Sequence, residues 1–322
     1  MSKEQTTFSS RRDLLKGFAT AGVATAAGAV AAGHAAAATA ATDTGSVAWK
    51  QPGNNRHILE LQGGKHGAST GEVSIEYWGH CALKITSPTG LAMLFDPWRN
   101  DPSGYWGVWF SNDFANPLVD IGLSTHTHFD HDALDHVQAT MLLDRMIGSF
   151  SFGDVTITSI ADKHACSAPG WYKWTNAIRE FGADPCPPNN PGHMDMVSYV
   201  VEVGGIRILI WGDNRHNPSD DVWQKWGKID VLTLPVDGSQ HILSYDQGNA
   251  IVERLKPKIV IPTHYLCEGT TLTLSTLQTA DEWVGQQKSK KKLDGSVLKL
   301  NSQEVAGMDR EFLYFGSHTT KK

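Results

Sequence analysis

The stretch Val119–His131, VDIGLSTHTHFDH, joins a short apolar run to four metal-ligand side chains within six residues, His126, His128, Asp130 and His131. Val119 to Ser124 has the length and the Val/Ile/Leu content of a buried strand. The polar cluster begins directly behind it. Side chains in extended backbone repeat every second residue, so His126 and His128 are expected to point the same way. A turn after them lets Asp130 and His131 face a second point a few ångströms off, and one peptide can then serve two neighbouring cations. Neutral imidazoles suit zinc, and a carboxylate compensates its charge. A single histidine is ordinarily a hydrogen-bonded core or surface residue, but a cluster this dense behind a strand is not explained that way. Ala133 to Gln138 reads as a helix following the turn.

Upstream, Val73–Trp78, Ala82–Thr86 and Leu91–Phe95 are short apolar runs separated by Gly79-His80 and Ser87-Pro88-Thr89-Gly90, which predicts a β-meander ending at Asp96-Pro97-Trp98. Residues 98–118 are rich in Trp, Phe, Pro, Gly and Asn with no period of 2 or 3.6. Such a loop either packs as a core flap or walls a cleft. Downstream, Val155–Ile160 leads to His164. A second aromatic, Pro-rich insertion covers 166–193, with Trp171, Tyr172 and Trp174. The hairpin Val197–Val203, Gly204-Gly205, Ile206–Trp211 delivers Gly212-Asp213. Strand Val231–Pro235, helix Gln247–Leu255 and strand Ile259–Ile261 follow, with Pro262-Thr263-His264-Tyr265 at the last tip.

These motifs, in this order, resemble the metallo-β-lactamase superfamily over roughly residues 73 to 266. The resemblance rests on Trp78-Gly79-His80, Phe95-Asp96-Pro97-Trp98, the His126–His131 cluster, His164, Trp211-Gly212-Asp213 and Pro262-Thr263-His264-Tyr265. It implies an α/β fold, an αββα sandwich, with metals at one edge between the two sheets. It also implies that His126, His128 and His164 bind one cation, that Asp130, His131 and His264 bind another, and that Asp213 bridges them. His193, just before a strand, competes with His164 for the third histidine position. His80 and Asp96 are expected to support the site through hydrogen bonds or to be purely structural. His216 and His241 are each either substrate contacts or surface residues, and Cys267 is expected to be a buried bystander.

The activity implied is hydrolysis by a hydroxide shared between two divalent ions, zinc first, with manganese or iron accepted by the same ligand types. Asp130 and Asp213 are the expected catalytic carboxylates. Chains similar to L-ascorbate-6-phosphate lactonases and phospholipase D-type phosphodiesterases are nearest in pattern, so a small-molecule lactone, ester or phosphoester is the expected substrate. The rival of another class is a non-hydrolytic metal-binding or di-iron redox protein. A redox member of the superfamily usually carries a flavodoxin-like domain, for which the residues after 266 are too few.

Ser10-Arg11-Arg12-Asp13-Leu14-Leu15-Lys16, followed by an Ala/Gly-rich run to about Ala40, resembles a twin-arginine export signal. A transmembrane anchor is the competing reading, but Ala and Gly are weakly apolar and Ala38-Thr39-Ala40 suits signal peptidase. The expected division is a signal at 1–40, a linker or arm at 41–72, and a hydrolase domain at 73–322. The chain is then handled by the twin-arginine export machinery, arrives in the periplasm or outside the cell, and keeps no stable membrane insertion after processing. At 322 residues with 40% hydrophobic content it can bury a large core, and a net charge of −6 argues against a nucleic-acid partner. Four cysteines without a Cys-x-x-Cys pair exclude a zinc ribbon and a disulfide-dense scaffold. One Cys166–Cys186 bridge is conceivable, and free buried thiols are an equal alternative.

Overall fold

The structure, a computed structural model, describes residues 66–68, 70–104, 107–165, 196–270 and 277–320. All of these fall within the compact unit Glu60–Lys322. The segment expected to be an export signal, most of the expected arm, the second aromatic insertion with His193, Cys166 and Cys186, and Tyr105 and Trp106 lie outside the described residues.

Fourteen strands among the described residues form two sheets. In the first, β1 (Val73–Tyr77), β2 (Leu83–Thr86) and β3 (Ala92–Phe95) are the expected antiparallel meander, with Leu83 opposite both Tyr77 and Phe95. β4 (Leu118–Ser124) runs parallel to β3, pairing Phe95 with Leu123. Here the sequence expectation needs correction. Ala133–Gln138 is not a helix but a single 3-10 turn, Leu134–His136, after which Gln138 opens β5 (Gln138–Asp144), parallel to β4. Packing of Val137 under β4 and pairing of Leu118 with Gln138 override the local helical pattern.

In the second sheet β6 (Gly148–Phe152), β7 (Val155–Asp162), β8 (Met196–Val203) and β9 (Ile206–Ile210) are antiparallel neighbours. β10 (Val231–Pro235) and β11 (Ile259–Thr263) then continue parallel to β9. The C-terminal segment closes both sheets. β12 (Lys290–Lys292) and β14 (Glu311–Tyr314) extend the second, and β13 (Val297–Leu300) pairs with β1 in the first. Gly204 and Gly205, both with positive φ, make the two-residue turn between β8 and β9. A Cβ on Gly204 would lie 2.7 Å from the Val73 side chain.

The inner faces meet through Phe95 on Tyr199, with ring centroids 5.6 Å apart, and Tyr77 on Tyr265 at 5.5 Å. Tyr199 Oη donates to the Ser124 carbonyl across the gap at 2.7 Å. Since Tyr199 faces inward, Ser198 faces outward. There it accepts a hydrogen bond from the Trp226 indole of helix α1 (Asp220–Trp226), so this helix covers the outer face. Helix α2 (Tyr245–Leu255) lies along β10, with Gly248 close to Leu234 and Val236. Short helices α3 (Asp281–Gly285) and α4 (Ser302–Gly307) complete the C-terminal part. The outer face of the first sheet is covered by the aromatic loop, where Trp98 stacks on Phe110 at 4.1 Å and both pack with Ala82, Ala92 and Leu94. Among the described residues no helix is long and apolar enough to cross a membrane.

Strand direction places the chemistry. Parallel strands β3 and β4 end side by side at Asp96 and Thr125. The antiparallel meander puts the β1–β2 turn, Gly79 to Cys81, at that same edge. In the second sheet the C-terminal ends of β9, β10 and β11 carry Asp213, Asp237 and His264, and the isolated bridge of His164 with Asn214 adds the segment after β7.

Candidate metal centre

Asp213 is the meeting point. Its Oδ2 lies 3.1 Å from His264 Nε2, 3.4 Å from His131 Nε2, 3.5 Å from His164 Nε2 and 3.9 Å from His126 Nε2. Asp130 Oδ2 lies beside it, 3.0 Å from His80 Nε2, 3.5 Å from His264 Nε2 and 3.7 Å from His131 Nε2. Three sets of ligand atoms each fall within 4.8 Å of one another: His126, His128 and His164; His80, Asp130, His131 and His264; and Cys81, His131 and Asp213.

The fold aims three of these imidazoles, His126, His131 and His164, by binding the other nitrogen, whereas Nδ1 of His80 and of His264 makes no hydrogen bond. His131 Nδ1 donates to Asp96 at 3.0 Å, and His164 Nδ1 donates to the Ala165 carbonyl at 2.7 Å. For His126 the arrangement is a relay. Thr125 Oγ1 donates to Asp96 at 2.9 Å, so at 3.0 Å from His126 Nδ1 it accepts that N–H. Asp96 also takes the Thr125 backbone N–H at 2.7 Å. In each case Nε2 is left facing the centre, the ring orientation a metal ligand requires.

Backbone strain marks the same place. His80, Asp96 and His264 are non-glycine residues with φ of 55°, 50° and 59°. Each left-handed residue costs of order 1–2 kcal/mol, offset here by bonds such as His264 N–H to the His80 carbonyl at 3.0 Å. Gly212, with φ of 59°, permits the close approach of Asp213. A Cβ there would lie 2.3 Å from Met196 Cε and 2.8 Å from Thr125 Oγ1.

The electrostatics belong to a buried site built to hold positive charge. Burial opposes ionisation of Asp130 and Asp213, yet the neighbouring histidines win and hold both carboxyls well below their usual range. Burial likewise opposes protonation of His264, but Asp213 and Asp130 push it up to about 10; they raise His131 as well. Burial and adjacent imidazoles push His126 down, and His80 and His128 to about 4. The Cys81 thiol is pushed up by burial, then by Asp213, Asp96 and Asp130.

Whether these residues fit a cation is tested by their unsatisfied atoms. Nε2 of His126, His131 and His264 and Oδ1 of Asp213 are buried and make no hydrogen bond. Each such atom costs about 1–3 kcal/mol. Four around one carboxylate are a cost that divalent cations would remove, and the imidazole–carboxylate donor set is one such ions accept.

Residues 74–264 match the family described as beta-lactamase superfamily domain. A metal-dependent hydrolase of the UPF0173 group from Thermodesulfovibrio yellowstonii is 39% identical over 268 residues, covering 75% of this chain and 94% of its own. The chain belongs to the UPF0173 metal-dependent hydrolases of the metallo-β-lactamase superfamily. Another relative from Thermus thermophilus is 28% identical over 240 residues, covering 70% of this hydrolase and 96% of its own length. In fold, the hydrolase is similar to a metallo-β-lactamase superfamily protein from Thermotoga maritima, with a TM-score of 0.52 at 20% identity over 75% of this chain and 97% of that one.

The other residues singled out from the sequence fall as follows. His80 and Asp96 are in the site, on Asp130 and His131. His241 is buried, its ring stacked on His264 at 5.5 Å and edge-on to Trp109 at 6.0 Å, so it is not a surface residue. Asp237 at the tip of β10 holds that loop by accepting from Ser239 Oγ at 2.8 Å and from the His241 backbone N–H at 3.2 Å. His216 stands apart. Its Nδ1 accepts from Gln247 of helix α2 at 3.1 Å, and among the described residues no ligand group includes it. Cys267 accepts the His80 backbone N–H at 3.4 Å. Trp98 of the first aromatic loop is core, while Phe110 and Trp109 reach His80, with ring centroids 5.7 and 6.4 Å from it, and Trp109 also reaches His241, so both belong to the wall of the site. Thr125, Asp237 and Cys81 were missed as site residues. The only sequence signal for Thr125 and Cys81 is adjacency to His126 and His80.

Proposed function

We propose that this hydrolase is exported and uses two divalent cations, zinc first, to hydrolyse a small-molecule lactone, carboxylic ester or phosphoester. The observation that carries it is the convergence of four imidazole Nε2 atoms, from His126, His131, His164 and His264, on one oxygen of Asp213. His126, His128 and His164 would hold one cation, Asp130, His131 and His264 the other, and Asp213 both. Bound there, the cations would supply water ionisable near neutral pH and a Lewis acid for the developing oxyanion.

The chain's own groups set the rest. Asp96, directly for His131 and through Thr125 for His126, holds the Nδ1 proton and so aims each Nε2 inward, where a bound cation would take the place of any proton. Burial, and then His264, push His241 down to about 3, so at neutral pH it offers a substrate a neutral imidazole beside the Trp109 wall. Phospholipase D-like phosphodiester cleavage belongs to the same chemistry and is separated from lactone hydrolysis by the assay.

The test is metal analysis of the purified chain together with turnover of generic lactone, ester and phosphodiester substrates. Two zinc equivalents and hydrolysis of at least one class are expected. Asp213→Ala and Asp130→Ala should each lower kcat/KM by at least a hundredfold while the circular dichroism spectrum stays native. Unchanged turnover in both variants removes the site, and a bound iron pair with no hydrolysis favours the redox class. For export, Arg11→Lys with Arg12→Lys should shift the protein from the periplasmic to the cytoplasmic fraction. An unchanged distribution removes the twin-arginine reading.

A further inference from the structure

Cys81 follows His80 in the β1–β2 turn, and its side chain is buried and borders the metal centre. Its Sγ, a ligand nitrogen of His131 and a carboxylate oxygen of Asp213 lie within 4.8 Å of one another. Two independent observations point from these neighbours to a ligand. His131 Nε2 and Asp213 Oδ1 are both buried, on residues 0% and 1% exposed, and neither has a hydrogen-bond partner. In tetrahedral zinc, bonds of about 2.3 and 2.1 Å put sulfur and nitrogen ~3.6 Å apart, a separation that the 4.8 Å reach of this group includes.

We propose that Cys81 is a further metal-ligating residue of the centre, binding as a thiolate the cation that His131 and Asp213 hold. The proposal rests on the two-cation reading above and deepens it. As the metal–sulfur bond forms, the thiol proton passes to solvent and no oxidant or reductant is needed. The consequence is selectivity. A centre of imidazole and carboxylate alone accepts manganese, iron or zinc, whereas a thiolate favours zinc and disfavours the oxygen-preferring ions. Both sulfurs have a hydrogen-bond partner, Cys81 in the Thr263 side chain and Cys267 in the His80 backbone N–H, but Cys267 forms part of no ligand group among the described residues.

The experiment loads the full metal-free chain with cobalt(II) and records the near-ultraviolet thiolate-to-cobalt charge-transfer band. The band is expected in the wild type and in Cys267→Ser and is expected to vanish in Cys81→Ser. In that variant the weaker of the two cobalt affinities should fall at least tenfold, and manganese should compete better against zinc. X-ray absorption of the zinc-loaded wild type needs no variant to fold and should show one sulfur scatterer at about 2.3 Å per two zinc ions. Cation uptake with only nitrogen and oxygen scatterers, or a band that survives in Cys81→Ser, overturns the thiolate and leaves the hydrolase reading standing. Failure to take up any cation overturns both.

Discussion

Thr125 has one hydroxyl that answers to two neighbours, donating to Asp96 and accepting from His126. Thr125→Val keeps the shape and removes both bonds. It leaves His126 Nδ1 without its acceptor, so the ring can present the wrong tautomer to the centre. Loss of such a supporting bond typically weakens metal affinity 10–100-fold, and that range is expected here in a chelator-competition titration with zinc. Affinity within twofold of wild type would show that the relay does not orient the ring. Pairwise reach of this kind is invisible in a sequence. Thr125 and Asp96 are 29 positions apart, and nothing about either residue type announces the other. His126, His128, Asp130 and His131 were legible because their own spacing carries the message. His164, Asp213 and His264 were legible because each follows the end of a recognisable strand.

Among the elements, helix α2 shows how far a distant histidine can stand from the chemistry. Ser244 Oγ accepts from the Gln247 backbone N–H at 3.0 Å, and Gln247 Oε1 accepts from the Ser244 N–H at 2.9 Å, a capping box. Gln247 Nε2 then reaches His216 and ties the loop after Asp213 to the helix. Ser244→Ala should cost about 0.5–2 kcal/mol of stability in urea unfolding with kcat unaltered. A large loss of kcat with no loss of stability would place this helix start in the site instead. Strands with β-branched, apolar runs were read correctly, including the β8–β9 hairpin, while residues 133–138 were not. There the periodicity looked helical, but the six residues Gln138, Ala139, Met141, Leu142, Leu143 and Asp144 pair with β4, and sheet pairing outweighs a weak local preference. Strand β12 was missed because it is Lys290-Lys291-Lys292, exposed at all three residues, and its polarity carries no strand signal.

For the whole molecule, the buried histidines link folding to pH. In the metal-free chain His80 titrates at about 4 and His241 at about 3, against about 6.5 when unfolded. The unfolded chain therefore takes up these protons first, and stability is lost as pH falls below about 6.5. His264 acts oppositely. Raised to about 10, its contribution is fully present below about 6.5 and is lost as pH rises through about 10. Urea midpoints measured in chelator should accordingly pass through a maximum near pH 6.5. A midpoint still climbing from pH 6.5 to 9 would contradict this balance.

What the sequence determined alone was whatever is written locally: the apolar strands, the hairpin glycines, and the ligand-rich peptide that ends β4. Its family resemblance extended that to the order of the remaining ligands. Only the tertiary structure decided which atoms meet. Parallel strands in both sheets end at one edge, and this brings Cys81, Asp96, Asp213, Asp237 and His264 together from separate parts of the chain. Burial then converts their proximity into function, because polar groups stripped of water must bind one another or a cation. That energy depends on enclosure by both sheets, a property no single segment possesses.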